Sequence, residues 1–95
     1  MDILGIDISK KTFDVALLLG ERVRQAAFSN SEAGFVDLHR WLIKHRPLPD
    51  APLHACMEAT GNYGLDLAEV LHEQGVQVSI VNPLRVKGAR SERAG

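Results

Sequence analysis

Residues 2–29 decide the fold. They read Asp2-Ile-Leu-Gly-Ile-Asp-Ile8, a polar turn Ser9-Lys10-Lys11, then Thr12-Phe-Asp-Val-Ala-Leu-Leu-Leu19, then Gly20-Glu21 and eight residues ending at Ser29. The first segment is short and mostly apolar, as suits a strand. In the second, Phe13, Val15 and Leu17 alternate onto one face, the period of a strand with one buried side. Gly20-Glu21 is a two-residue hairpin signal. Residues 22–29 are less apolar and belong near a sheet edge. Three strands joined by tight turns form an antiparallel meander.

Working outward, the period changes to that of a helix. Ser29 and Glu32 stand three apart, the spacing of a capping box. Phe35, Leu38 and Leu42, with Trp41 adjacent, form an amphipathic stripe. Pro47 and Pro49 stop the helix and open a connector through Pro52. Residues 53–58 (Leu-His-Ala-Cys-Met-Glu58) read as a buried strand, followed by a turn at Ala59-Thr60-Gly61. A second helix is expected from about Asn62 to Gln74, with Leu67, Val70 and Leu71 inward and Gly75 as the C′ residue. Residues 76–81 make a fifth strand, which Asn82-Pro83 breaks. The order is β-β-β-α-β-α-β. Helical crossovers demand parallel pairing of the first, fourth and fifth strands, with right-handed connections. The meander then fills the other edge of a mixed α/β sheet with helices packed against it.

The 95 residues suit one domain. Eleven Lys plus Arg against 12 Asp plus Glu leave a formal net charge of −1, which excludes a polybasic or acidic tail as the whole molecule. At 45% hydrophobic and 24% charged, the composition is that of a soluble globular domain. The single cysteine, Cys56, excludes an intrachain disulfide scaffold and a Cys-rich zinc module. It reads as a small buried hydrophobe. The longest apolar run, Val15 to Leu19, is far short of the roughly 20 residues of a membrane span. Met1-Asp2 begins no signal peptide, so a cytoplasmic, reducing location is expected. Two parts are expected: residues 1–83 as the core, and residues 84–95 as a basic segment leading into a continuation. Arg85, Lys87, Arg90 and Arg93 against Glu92 give that segment a net charge of +3.

In open α/β sheets, ligands collect outside the carboxyl ends of the strands. Asp7 closes the first strand and Glu58 the fourth. If these strands are neighbours, both carboxylates project from one rim. Two adjacent carboxylates repel unless a cation lies between them. Hard oxygen ligands suit Mg²⁺, which commonly takes one or two carboxylates and leaves other positions to water and phosphate. Such a site serves phosphoryl transfer. The plain alternative is a pair of strand-terminal acids that cap a helix or face solvent. Asp7 stands between two Ile, where an unpartnered burial would be costly.

Several motifs occur in one order: Gly5-Ile6-Asp7-Ile8-Ser9-Lys10, Asp14-Val15-Ala16, Met57-Glu58-Ala59-Thr60-Gly61-Asn62-Tyr63, Val81-Asn82-Pro83 and Val86-Lys87. This set closely resembles the N-terminal domain of the DEDD transposases of bacterial insertion sequences. That family includes the pilin-gene invertases and the bridge-RNA-guided recombinases. The resemblance covers essentially the whole chain. The Glu-Ala-Thr-Gly-x-Tyr block with its downstream Asn-Pro is the specific part.

The resemblance implies an RNase H-like, RuvC-like fold and a Mg²⁺-dependent DNA strand-transfer site, with Mn²⁺ as a substitute. By position, Asp7 matches the first acidic residue of a catalytic tetrad and Glu58 the second. The other two belong to a Lys-Thr-Asp-x-x-Asp-Ala block, absent from these 95 residues, as is the family's serine-bearing C-terminal domain. The chain is therefore expected to be a fragment with half a tetrad and little activity alone. The implied partners are mobile-element and target DNA, a guide RNA, and further copies in a homo-oligomer; no membrane is implied.

Other residues carry paired readings. Thr60, Gly61 and Asn62 open a helix, where free amides either hold a phosphate or are ordinarily capped. Tyr63 either packs under the site, which is favoured, or touches nucleic acid. Lys10 and Lys11 reach nucleic-acid phosphates or form a solvated turn. Arg85, Lys87, Arg90 and Arg93 form a phosphate-contacting stripe or a solvated face. His39, His45, His54 and His72 show no metal-ligand spacing, and His39 and His45 are expected at the surface. Trp41 with Phe35 reads as core or a covered interface, not a base-stacking platform. Two functions remain in view: the catalytic segment of a DNA transposase, or a non-catalytic nucleic-acid-binding and dimerisation module of the same fold. A sugar-kinase or actin-like ATPase half is disfavoured. Its phosphate turn needs glycine, and Ile8-Ser9-Lys10-Lys11 has none.

Overall fold

A computed structural model describes residues 1–58 and 62–81. Five strands and two helices follow one another as β1 (Asp2–Ile8), β2 (Thr12–Leu19), β3 (Arg22–Ser29), α1 (Glu32–His45), β4 (Leu53–Glu58), α2 (Leu65–Glu73) and β5 (Gln77–Val81). The strands form one sheet in the order β3-β2-β1-β4-β5. β1–β2 and β2–β3 are antiparallel, while β1–β4 and β4–β5 are parallel. This is the expected arrangement, with the meander on one side and the helical crossovers on the other. β3 takes the expected edge.

Strand alternation sorts the side chains into two faces. Leu4, Ile6 and Ile8, Phe13, Val15 and Leu17, and Leu53, Ala55 and Met57 point to one face and are buried. They form a single cluster with Phe35, Leu38 and Leu42 of α1 and Leu67 and Leu71 of α2. Both helices therefore lie on the same side of the sheet. An aromatic chain ties α1 to β2 and β3: Phe13 stacks on Phe28 and Phe35 at centroid distances of 5.5 and 6.1 Å, and Phe28 meets Trp41 edge-on at 6.0 Å. Phe35 thus belongs to the core, and Trp41, partly buried, packs against it.

Local devices set the turns. Gly20 has φ +63° between the paired Leu19 and Arg22, while Glu21 has negative φ, the pattern of a type II′ hairpin. The cap of α1 differs from the expected capping box. Ser29 stays in β3, paired with Thr12, so it is extended and unavailable as a cap. Ser31 is the N-cap, and its Oγ accepts from the Gly34 amide at 3.3 Å. Past the end of α1, Arg46 is buried. It donates from Nε to Asp2 Oδ2 at 2.9 Å, and from its other nitrogens to the carbonyls of Pro49 and Ala51. One side chain thus fastens the proline-rich connector to the start of β1.

α2 begins at Leu65, three residues later than expected, because residues 62–64 form a turn. Gly75, with φ +82°, follows its C-cap as expected. Among the described residues no helix is long and apolar enough to cross a membrane. The basic segment 84–95 lies outside the described residues.

Candidate active site

The second sheet face is covered by no described helix. Strand register lays its side chains out in rows. Asp7 pairs with Asp14 of β2 and with Glu58 of β4. Opposed residues share a face, and adjacent strands lie about 4.8 Å apart, so three carboxylates stand side by side across β2, β1 and β4. All three residues are exposed. They line an open cavity of about 770 Å³ together with Gly5, Ala16, Gln25 and Val81.

The physical origin of this row is simple. β1 and β4 run parallel because helix α1 carries the chain back across the sheet, so their carboxyl ends share an edge. Asp7 and Glu58 are both near those ends. β2 runs the opposite way, which brings its beginning, and Asp14, to the same edge. Asp7 does not sink among its Ile neighbours: Ile6 and Ile8 point into the core, and Asp7 points away from it. The cost of burial that singled it out in the sequence does not arise.

The donor set is chemically suited to a hard divalent cation, which commonly takes one or two carboxylates and keeps several waters. Among the described residues no three His, Cys, Asp or Glu are grouped closely enough to hold a metal ion. Asp7 and Glu58, paired across β1 and β4, are the two residues that would face such an ion, with its remaining positions left to water or a phosphate.

The other sequence-derived positions divide. Lys10 and Lys11 are exposed in the β1–β2 turn, directly beyond the strand that bears Asp7. Tyr63 is 46% exposed, contrary to the expected packing. Its carbonyl, not its ring, is what the fold holds: Asn30 Nδ2 donates to it at 2.9 Å. Asn62 does not open the helix. It lies in the turn ahead of α2, and its carbonyl accepts from the Leu65 amide at 3.3 Å. Thr60, Gly61, Asn82, Pro83, Arg85, Lys87, Arg90 and Arg93 lie outside the described residues.

Cys56 is half-buried, not fully buried, because it faces the open side between Gly5 and Ser79. His54, on the same face, is bonded through Nε2 to Ser79 Oγ at 2.8 Å. His39 is exposed as expected, whereas His45 is half-buried against Trp41. Two residues of the site region were missed in the sequence as site candidates. Asp14 was placed by alternation opposite Phe13 and Val15, yet only register shows that it meets Asp7. Asn30 gave no local signal, since its partners lie 20 to 33 residues away.

A family model described as Transposase (DEDD_Tnp_IS110) matches residues 4–95. The chain belongs to the DEDD transposase family. Its relatives include the pilin gene-inverting proteins of Moraxella lacunata and Moraxella bovis, each 37% identical over 83 residues. The match covers 87% of this chain and 26% of each relative, so this transposase-family chain spans about a quarter of their length. Among solved structures it is similar to RuvC of Thermus thermophilus in complex with a Holliday junction substrate. There the TM-score is 0.55 at 17% identity, over 94% of this chain and 69% of that one. A second Thermus thermophilus RuvC structure gives 0.54 at 18% identity, over 92% and 67%. At that identity the likeness is one of fold: the mixed sheet is RuvC-like, as the motif resemblance implied.

Proposed function

We propose that this chain is the N-terminal catalytic-domain segment of a DNA transposase or recombinase. In this reading Asp7 and Glu58 supply two of four acidic residues to a Mg²⁺-dependent site for strand cleavage and transfer. The observation that carries the reading is the direct pairing of Asp7 with Glu58 across parallel β1 and β4. A bound Mg²⁺ or Mn²⁺ would neutralise charge on phosphate oxygens and lower the barrier to their displacement.

The chain's own groups have distinct tasks in this scheme. Asp7 and Glu58 hold the cation from the strand ends, and Asp14 adds negative charge beside them. Lys10 and Lys11 flank the carboxylates and meet the phosphate backbone, fixing its register without reading bases. Arg85, Lys87, Arg90 and Arg93, in the segment after the core of residues 1–83, supply further phosphate contacts. Thr60, Gly61, Asn62 and Tyr63, which follow Glu58 in sequence, are assigned to phosphate or site support. The second acidic pair would come from a continuation, as would full activity. Substrates are the DNA of the mobile element and its target. The Moraxella relatives invert a pilin gene, and a RuvC of this fold binds a branched DNA, both consistent with a DNA partner. A guide RNA and further copies of the protein complete the assembly.

Titration of Mn²⁺ into the chain tests the metal pair. Binding is expected for the wild type and should vanish in Asp7→Ala. Equal binding by both proteins would overturn the assignment of Asp7. The net charge of +3 on residues 84–95 favours a second reading, a non-catalytic nucleic-acid-binding and dimerisation module of the same fold. Salt-dependent RNA binding would then survive Asp7→Ala and be lost when Arg85, Lys87, Arg90 and Arg93 are neutralised.

A further inference from the structure

Asn30 stands at the junction of β3 and α1, outside the carboxylate row, and makes more long-range polar contacts than any other described side chain near the site. Its backbone amide donates to Lys11 O at 2.8 Å. Its side-chain amide donates to Ser9 O at 3.1 Å, to Lys10 O at a longer 3.4 Å, and to Tyr63 O at 2.9 Å. The first acceptors belong to the turn that follows Asp7. The last belongs to the turn that follows Glu58. A carboxamide has two N–H donors, and here one serves each turn.

Strand pairing already holds Asp7 against Glu58. It does not hold the two turns beyond them, which carry Lys10, Lys11 and the half-exposed Tyr63 ring. The described hydrogen bonds join those turns to each other only through Asn30. The Ser9 turn is otherwise closed on itself, with the Ser9 amide and hydroxyl both donating to Thr12 O.

We propose that Asn30 is a positioning residue. It locks the Ser9–Lys11 turn and the Tyr63 turn into one rim beside the carboxylates, and that rim sets the spacing at which Lys10, Lys11 and Tyr63 meet a nucleic-acid backbone. The inference rests on the reading of the site given above. It concerns nucleic-acid contact, not cation binding, and this separates the two experimentally. Asparagine is specifically suited to the task. An aspartate of the same shape has no donor, and would turn an oxygen toward Tyr63 O and Ser9 O; an alanine leaves the carbonyls unbridged.

The test uses Asn30→Ala and Asn30→Asp with three readouts. The first is limited proteolysis under native conditions: trypsin at Lys10 and Lys11, chymotrypsin at Tyr63, with Lys44 and Trp41 in α1 as internal controls. Cleavage at both turns is expected to rise together by about tenfold, the effect of one lost hydrogen bond on local opening, with the α1 sites unchanged. The second is affinity for a fluorescein-labelled DNA duplex, expected to fall several-fold, and further in Asn30→Asp than in Asn30→Ala. The third is Mn²⁺ affinity, expected to match the wild type.

Cleavage rising at one turn alone, or equally at the α1 sites, would overturn the lock. Coupled opening with unchanged DNA affinity would overturn the rim's role. A wild-type chain that binds Mn²⁺ but holds DNA no better than Asn30→Asp does would fail this inference and leave the site reading standing. A wild-type chain that binds neither would fail the site reading and the rim's role together, while the proteolysis still decides whether the two turns are joined.

Discussion

His45 lies in the last turn of α1, with its ring 5.1 Å from that of Trp41. Partial burial lowers its pKa below the ordinary imidazole value, and the neighbouring charges of Arg24 and Lys44 push the same way. The folded chain therefore resists taking up the proton that the unfolded chain accepts near pH 6.5. The contribution to stability is complete above the unfolded pKa and is lost as pH falls below it. Between about pH 7.5 and 5.5 the Tm should fall more steeply for the wild type than for His45→Gln. Parallel slopes in thermal melts across that range would contradict the shift. This histidine was legible as a helix residue, but not as a perturbed one. Its neighbour Arg24 comes from β3, so the environment is a product of packing.

At the scale of elements, the contact between α1 and β3 depends on one missing side chain. A Cβ built on Gly34 would lie 1.7 Å from Ser29 O and 2.7 Å from Ser29 C, inside the backbone of the strand that feeds the helix. Gly34 is buried in the first turn of α1, next to Phe35. Ser29 Oγ and Ser31 Oγ also bond one another across this corner. Gly34→Ala must push the helix start away from the sheet. Overpacking of this kind costs about 1–3 kcal/mol, occasionally more, against a gain of about 1 kcal/mol that alanine brings to a helix interior; a clash with backbone rather than a flexible side chain belongs at the upper end. Urea denaturation should show a net loss of stability; an unchanged midpoint would mean that the corner relaxes freely. The same corner explains the misplaced capping box. Ser29, Ser31 and Glu32 all suit a helix start, and the pairing of Ser29 with Thr12 decides among them.

For the whole molecule, the two faces of the sheet have opposite character. One is closed by both helices and holds the apolar cluster. The other carries Asp14, Asp7 and Glu58 abreast. Like charges directly opposite on adjacent strands are destabilising, so the row costs stability whenever no cation offsets it. Asp7→Asn should therefore stabilise the metal-free chain, by about 0.2–1 kcal/mol. The same variant should lose the rise in Tm that Mn²⁺ gives the wild type, since a ligand stabilises only the state that binds it. Melting curves of both proteins with and without Mn²⁺ read the two effects together. A variant less stable than the wild type in metal-free buffer would show that Asp7 is held by its neighbours and not opposed by them.

The sequence by itself determined the elements and their pairing class. Alternation in residues 12–19, the Gly20-Glu21 hairpin, the helical stripe of Phe35, Leu38 and Leu42, and the proline stop after α1 are local signals. Each acts over a few residues, and the rules of crossover connection turn their order into a sheet. The strand-terminal acids Asp7 and Glu58 were legible for the same reason, and the motifs around them were enough to suggest the family. Tertiary structure alone decided what depends on register and on distant partners. Which carboxylate faces Asp7, that the Tyr63 ring is left outside while its carbonyl is held, and that Asn30 joins two turns are such properties. They arise because a strand shifted by one residue would turn every side chain to the other face, and that choice is made by burying the whole apolar cluster at once.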